Sequence, residues 1–273
     1  MPENPQASSI IVREAIAPYL TVGMIMTPRS EMCTFKPRDK VSYVLAEMEE
    51  GNYDAAPIED DGVLDRFVER KRLKREDPSL PCGEVAQNIS VRHIVSEQMA
   101  MEDLLPLFCE QGFFFVMGQR EITGIVTYAD LNKTPAKVLF YFLISELERG
   151  LLRLIRQRFK KIEGCLEYLD QKALKDIEEA LAQAKGSDTD LSIEHYFSTS
   201  HIVKIVSKDA ELRKKLDFRS KKQAEKVLNP LVDLRNRTMH PRGLIRLIER
   251  RNEVEKLKQK YDALRDLIDK LRD

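Results

Sequence analysis

Two patterns of apolar positions divide this chain. Up to about residue 133 the apolar residues come in short runs, such as Ala55-Ala56-Pro57-Ile58, Phe113-Phe114-Phe115-Val116 and Gly124-Ile125-Val126, which predict strands alternating with helices. Beyond Pro135 the spacing changes. Phe140, Ile144, Leu147, Leu151, Ile155 and Phe159 recur at three- and four-residue steps, predicting one long amphipathic helix. Its start, Val138 to Ile144, is apolar all round and predicts burial on two sides. Further helices are expected over Ala173 to Lys185, Glu194 to Val206, Asp209 to Leu216 and about Ser220 to Met239, the last mildly interrupted by Pro230. Gly186 to Asp190 is the expected loop, and a final helix is expected after Arg242-Gly243. In that helix Val254, Leu257, Tyr261, Leu264, Ile268 and Leu271 follow the spacing of a coiled-coil seam. The seam is short, so packing within a helical bundle is expected, with dimerisation as the alternative.

The first half repeats itself. Glu50 to Ile58 followed by Arg66 to Leu73 parallels Gln111 to Val116 followed by Gly124 to Leu131. Each reads as helix, strand, turn, strand and helix start, with turns at Asp61-Gly62 and Met117-Gly118-Gln119. Neither repeat alone can bury a good core, so the two should pack together. In the second repeat a strand ending at Thr127 and entering a helix places a hydroxyl and amide N–H groups where anions are favoured. Asp130, one turn later, can accept hydrogen bonds from a ribose. An equally good account is a capping box between Thr127 and Asp130 that binds nothing. Glu69 and Arg72 hold the equivalent positions in the first repeat. A carboxylate there would repel a phosphate, so one site is expected, with Arg72 offering a cation to a shared cleft.

On these residues, Gly124-Ile125-Val126-Thr127-Tyr128-Ala129-Asp130 above all, residues 16–133 resemble a tandem pair of cystathionine-β-synthase-type (CBS) domains. The resemblance implies a pseudo-symmetric disc that binds an adenine nucleotide (AMP, ADP or ATP) as regulatory ligand, with Thr127 and Asp130 at its ribose and phosphate. Residues 1–15 form an N-terminal extension in this reading, and 136–273 a separate helical domain. The expected class is α+β.

Charge separates the halves as well. The net charge is +0, with 42% hydrophobic and 33% charged residues, yet residues 1–135 carry 14 basic and 22 acidic side chains and residues 136–273 carry 31 and 23. A basic helical half suits a polyanion, although such charge is more often a solvated helical surface. No apolar run is long enough to cross a bilayer and Met1 to Ile16 has no signal-peptide layout, so a cytoplasmic protein without a membrane partner is expected. Cys33, Cys82, Cys109 and Cys165 make no C-x-x-C pair, and His93, His195 and His201 lack metal-ligand spacing, so no metal site is expected.

Near the end of the basic half stands Leu234-Arg235-Asn236-Arg237-Thr238-Met239-His240-Pro241. On an unbroken helix Arg235 and His240 would point about 140° apart. Pro241 disfavours helical geometry at His240, and a helix that ends there lets the two converge. A guanidinium that clamps a phosphate would then stand beside an imidazole that moves a proton. The plain alternative is a helix end decorated with bases that favour the negative end of the macrodipole.

An all-helical domain whose penultimate helix ends this way resembles the HEPN superfamily (higher eukaryotes and prokaryotes nucleotide-binding domains) over residues 136–273. The resemblance implies a metal-independent endoribonuclease working as a homodimer, with Arg235, Asn236 and His240 catalytic. RNA supplies its own 2′-hydroxyl nucleophile. Arg235 would hold the non-bridging oxygens, Asn236 would orient the phosphate or imidazole, and His240 would transfer a proton. Arg237 and Arg242 would guide the strand, and Glu146 and Glu148 would either buttress the arginine or lie on a solvated helix face. The combined expectation is RNA cleavage regulated by an adenine nucleotide. The alternative is a non-catalytic nucleotide sensor whose helical domain dimerises, binds RNA or binds a protein partner, such as an antitoxin-like nucleotidyltransferase.

Overall fold

The computed structural model describes residues 16–184, 192–246 and 250–272, so the expected N-terminal extension and the loop Gly186 to Asp190 lie outside the described residues. The chain divides into two compact units, one built on Ala17–Ala136 and one on Lys137–Arg246 with Glu255–Asp273.

The first unit runs β1 (Thr27–Pro28), α1 (Val41–Glu50), β2 (Ala55–Asp60), β3 (Val63–Glu69), α2 (Arg70–Leu73), α3 (Cys82–Val85), β4 (Gln87–Asn88), β5 (Ile94–Ser96), α4 (Met101–Glu110), β6 (Phe113–Met117) and β7 (Ile122–Thr127). The strands make two sheets, ordered β1-β7-β6-β5 and β2-β3-β4. The repeats exchange strands. β1, which precedes the first repeat, pairs antiparallel with β7 of the second, Thr27 opposite Ile125. β4, which precedes the second, pairs with β3 of the first, Arg66 opposite Asn88. Gly124 permits the first exchange, since a Cβ there would stand 2.5 Å from the Thr27 carbonyl oxygen.

Local chemistry sets both hairpins. Asp61 (φ 46°) and Gly62 (φ 83°) supply the two left-handed residues that a two-residue turn requires. The second turn falls later than expected. Met117 stays in the strand opposite Ile122, and the turn closes from Gly118 N–H to the Glu121 carbonyl at 2.9 Å.

The run Phe113 to Val116 is buried throughout because both of its faces are covered. Phe114 meets Phe108 of α4 with ring centroids 5.8 Å apart. On the other face Phe113 and Phe115 lie 5.5 and 5.6 Å from Phe67 of β3. Leu64, Phe67, Phe113, Phe115, Ile122 and Ile125 thus form one core across both repeats. A second core under α1 holds Phe35, Val44, Met48, Ile58, Val68 and Cys82.

The second unit, among the described residues, contains helices and no strand: α5 (Thr134–Arg158), α6 (Gln171–Ala184), α7 (Thr199–Lys208), α8 (Ala210–Lys215), α9 (Lys221–Met239) and α10 (Arg250–Lys270). The helix expected from Glu194 to Val206 is two elements, a 3-10 turn over Ile193–Tyr196 and then α7. Ser198 restarts the chain because its hydroxyl accepts from His201 N–H at 3.3 Å, an N-cap. Asp209 caps α8 in the same way, accepting from Leu212 N–H at 2.8 Å.

Burial on two sides of Val138 to Ile144 holds only in part. Leu139, Phe140, Leu143 and Ile144 are buried, whereas Tyr141 is 45% exposed, and its phenol tolerates water. The seam residues Leu257, Tyr261, Leu264, Ile268 and Leu271 are buried within the chain itself. Tyr261 meets Phe140 edge-on at 6.4 Å. Gly150 lets Leu271 approach α5, for a Cβ there would stand 2.9 Å from Leu271 Cδ1.

Candidate functional site

In the first unit, β7 delivers Thr127 to a cleft of about 300 Å³. Residues of both repeats wall it: Gly51 to Ala55 and Pro57 from the first, Ile125 and Thr127 to Asp130 from the second, with Thr27 and Glu31 to Cys33 beside β1. Thr127 N–H donates to Asp130 Oδ2 at 2.6 Å and Thr127 Oγ1 to the same oxygen at 3.0 Å. Ala129 N–H donates back to Thr127 Oγ1 at 3.3 Å. This is a complete capping box, and it holds Asp130, 5% exposed, in the cleft wall. The capping and ligand readings of these residues are compatible, because a carboxylate has acceptor capacity beyond two bonds.

One part of the sequence expectation changes. The element after Thr127 is a 3-10 turn over Tyr128–Asn132, too short for the dipole of a long helix. The anion-binding helix end is therefore absent at this position.

Lys133 was not anticipated. Its Nζ pairs with Asp130 Oδ1 at 2.8 Å and donates to the carbonyls of Ile25 and Met26 at 2.7 and 3.2 Å. It tethers Asp130 to the backbone leading into β1. The signal in the sequence was a lysine three residues after an aspartate, a common spacing that carries little weight. Cys33 stands in the wall, where burial and the Glu47 charge push its thiol up from the ordinary value.

The pseudo-equivalent cleft of the first repeat has different chemistry. Glu69 accepts from Gln87 Nε2 at 3.1 Å. Arg72 turns to Glu76 at 3.7 Å and is not in the cleft wall, contrary to expectation; Arg70, Lys71 and Lys74 supply cations there. Arg70 is engaged by Asp54 at 2.7 Å and Lys74 by Glu49 at 2.7 Å.

In the second unit α9 starts at a Ser220 cap, the hydroxyl accepting from Gln223 N–H at 3.1 Å. It runs through Pro230 and stops at Met239. His240 is extended (φ −111°, ψ 163°), and its N–H makes the last helical bond, 3.1 Å to the Asn236 carbonyl. The stop places Asn236 and His240, both exposed, in one turn. Lys137 Nζ donates to the His240 carbonyl at 3.1 Å. Arg235 is half-buried, and its guanidinium has no hydrogen bond or ion pair among the described residues. Buried Leu244 and Ile245 pin the segment that follows.

The neighbours of the motif differ from expectation. Glu148 accepts from Thr199 Oγ1, and Glu146 pairs with Arg272 at 3.2 Å, so neither buttresses Arg235. Arg237 turns inward, donating to Asp233 at 3.0 Å and to the Leu244 carbonyl at 3.4 Å. Arg242 remains exposed. His93 and His201 are buried ring acceptors inside capping boxes. Among the described residues no group of three His, Cys, Asp or Glu side chains has the arrangement of a metal site, and no helix is long and apolar enough to cross a membrane.

No family model and no curated protein matches the chain. Solved structures do resemble part of it. CBS domains of a transcriptional regulator from Streptococcus pneumoniae match with 16% identity, covering 41% of this chain and 95% of that one, TM-score 0.37. A CBS-pair protein from Arabidopsis thaliana, CBSX2, matches at 20% identity over 43% of this chain and 95% of its own, TM-score 0.37. The CBS domain of a bacterial CNNM/CorC family Mg2+ transporter, in complex with ATP, matches at 22% over 46% and 94%, TM-score 0.37. Identities and scores are low, so the chemistry assigned to this chain comes from its own residues.

Proposed function

We propose that the first unit is a CBS pair that senses an adenine nucleotide, and that the helical unit is a HEPN-like, metal-independent endoribonuclease which the nucleotide regulates. The observation that carries the nucleotide half is the Thr127–Asp130 capping box set in the wall of a cleft shared by both repeats. A ribose diol would donate to Asp130, and Tyr53 and Tyr128 offer faces to a base.

The cleavage half is supported by the end of α9 at Met239, with an Arg235 guanidinium that has no partner among the described residues and an exposed His240 beyond it. Arg235 would hold the non-bridging oxygens of a phosphodiester, and charge developing on the phosphorane would strengthen that contact. Asn236 would orient the phosphate. His240 would take the 2′-hydroxyl proton or give one to the leaving oxygen, and a homodimer that faces two motifs would supply one histidine for each transfer. The purified chain should cut RNA in excess EDTA, leaving 2′,3′-cyclic phosphate ends. His240→Ala should abolish cleavage with its melting temperature unchanged. Cleavage undiminished in His240→Ala, or absent from the parent, would overturn this half.

The exposure of Asn236 and His240, with no described side chain holding the imidazole, favours a second reading. In it the helical unit is a non-catalytic module that dimerises, binds RNA or binds a protein partner. Arg235→Ala would then weaken RNA binding and flatten its salt dependence while no product forms.

A further inference from the structure

We infer that the Thr127–Asp130 cleft selects its ligand by charge, accepting an adenine nucleoside or nucleoside monophosphate and disfavouring a bare polyphosphate. The inference rests on the nucleotide reading of this cleft and deepens it.

Among the described residues that wall the cleft there is no lysine or arginine, whereas Glu31, Asp54 and Asp130 bring three carboxylates. Two of these have counter-charges behind the wall. Arg70 Nη2 lies 2.7 Å from Asp54 and Lys133 Nζ lies 2.8 Å from Asp130. Both cations are already committed, Arg70 also to Asn52 at 3.1 Å and Lys133 also to two backbone carbonyls. Glu31 is exposed and has no ion pair among the described residues. It brings to the lining a negative charge with no such counter-charge.

The two capping amides offer no replacement. Thr127 N–H is bound to Asp130 and Ala129 N–H to Thr127 Oγ1. The five-residue 3-10 turn that follows is too short to act as an anion anchor. What remains suits the uncharged part of a nucleotide: apolar and aromatic surface from Met32, Tyr53, Ile125 and Tyr128 for a base, and a buried carboxylate for a ribose diol. A single phosphate at the mouth can stay hydrated. Each added phosphate brings negative charge toward Glu31 without a cation to receive it, a repulsion that a divalent ion on the polyphosphate would relieve.

The test is calorimetric titration of the full chain with adenosine, AMP and ATP, each in EDTA and again in excess Mg2+. Adenosine and AMP should bind, ATP in EDTA should bind about tenfold more weakly or worse, and Mg2+ should narrow the gap. Glu31→Gln, with an unchanged melting temperature, should narrow it in EDTA. ATP binding tightest in EDTA, or a gap unmoved by Glu31→Gln, would overturn the charge selection and leave the nucleotide site standing. If none of the three binds the folded chain, the nucleotide reading falls and the selection falls with it.

Discussion

Asp233 Oδ2 stands 3.1 Å from Lys260 Nζ, so the helix that carries Arg235 is tied to α10 two residues before the motif begins. The same oxygen takes Arg237 Nε at 3.0 Å. Burial alone would raise the Asp233 carboxyl, but the hydrogen bond and charge of Lys260, with those of Arg237, outweigh it and hold the group below the usual carboxylate range.

A carboxyl whose folded value is depressed stabilises the fold above its unfolded value, and the contribution is lost as pH falls through the folded value. The Asp233 side chain is 53% exposed, so solvent screens the pairs and each is worth about 0.5 kcal/mol. Asp233→Asn should lower stability by roughly 1 kcal/mol at pH 7. In urea titrations the difference from the parent should start to shrink as pH falls below about 3.8 and should be lost only below the depressed folded value; a difference that does not shrink at all on acidification would refute an electrostatic origin.

Arg237 and Arg242 should behave differently although both flank the motif. Arg237 bonds inward and spans the motif turn to Leu244, so Arg237→Ala should cost about 1 kcal/mol of stability and displace His240. Arg242→Ala should leave the melting temperature unchanged and reduce only the salt dependence of RNA binding. Equal melting temperatures for the two variants would argue against the inward role.

Two histidines predict an acid sensitivity. His93 Nδ1 accepts from Ser90 N–H at 3.1 Å and His201 Nδ1 from Ser198 N–H at 3.3 Å, which requires neutral rings. Burial lowers both pKa values, with Arg92 adding to the effect at His93 and Lys204 at His201. Histidines depressed in the fold stabilise it above their unfolded value, so stability should decline as pH falls below about 6.5. His93→Gln combined with His201→Gln should flatten the melting temperature between pH 7 and pH 5.

Much of this was legible in the residues, for identifiable reasons. The first hairpin and α9 could be read because Asp61-Gly62, Ser220 and Pro241 are local signals whose outcome depends on nearby backbone. The break at Ser198 was missed because Glu194 to Val206 keeps helical periodicity across it, and the cap rather than the apolar spacing decided the boundary. Inward Arg237, the Lys133 tether and the partners of Glu146 and Glu148 depend on residues far away in sequence. No spacing rule reaches them. The acidic cleft wall was hidden for the same reason, since Glu31, Asp54 and Asp130 meet only after the repeats pair.

Phe67 joins the two sheets of the first unit and is fully buried against Phe113, Phe115 and His93. Phe67→Ala should cost about 3–5 kcal/mol and lower the urea midpoint of the whole unit. Gly124→Val should act at the other join by forcing a side chain into the Thr27 carbonyl and Met26 Sδ. It should weaken ligand binding as well as stability, because the displaced β1 leads into one wall of the cleft. Binding that survives Gly124→Val unchanged would place the ligand elsewhere.

The exchange of β1 and β4 has a thermodynamic corollary. Each sheet lacks an edge until the other repeat has supplied it, so neither repeat has a folded state of its own to retreat to. The first unit must melt as a single cooperative block. A ligand touching only Asp130 and its neighbours would therefore protect residues at the far side of the opposite sheet, by about 2.7 kcal/mol at a hundredfold excess over Kd. Hydrogen exchange would register it as uniform slowing across both repeats.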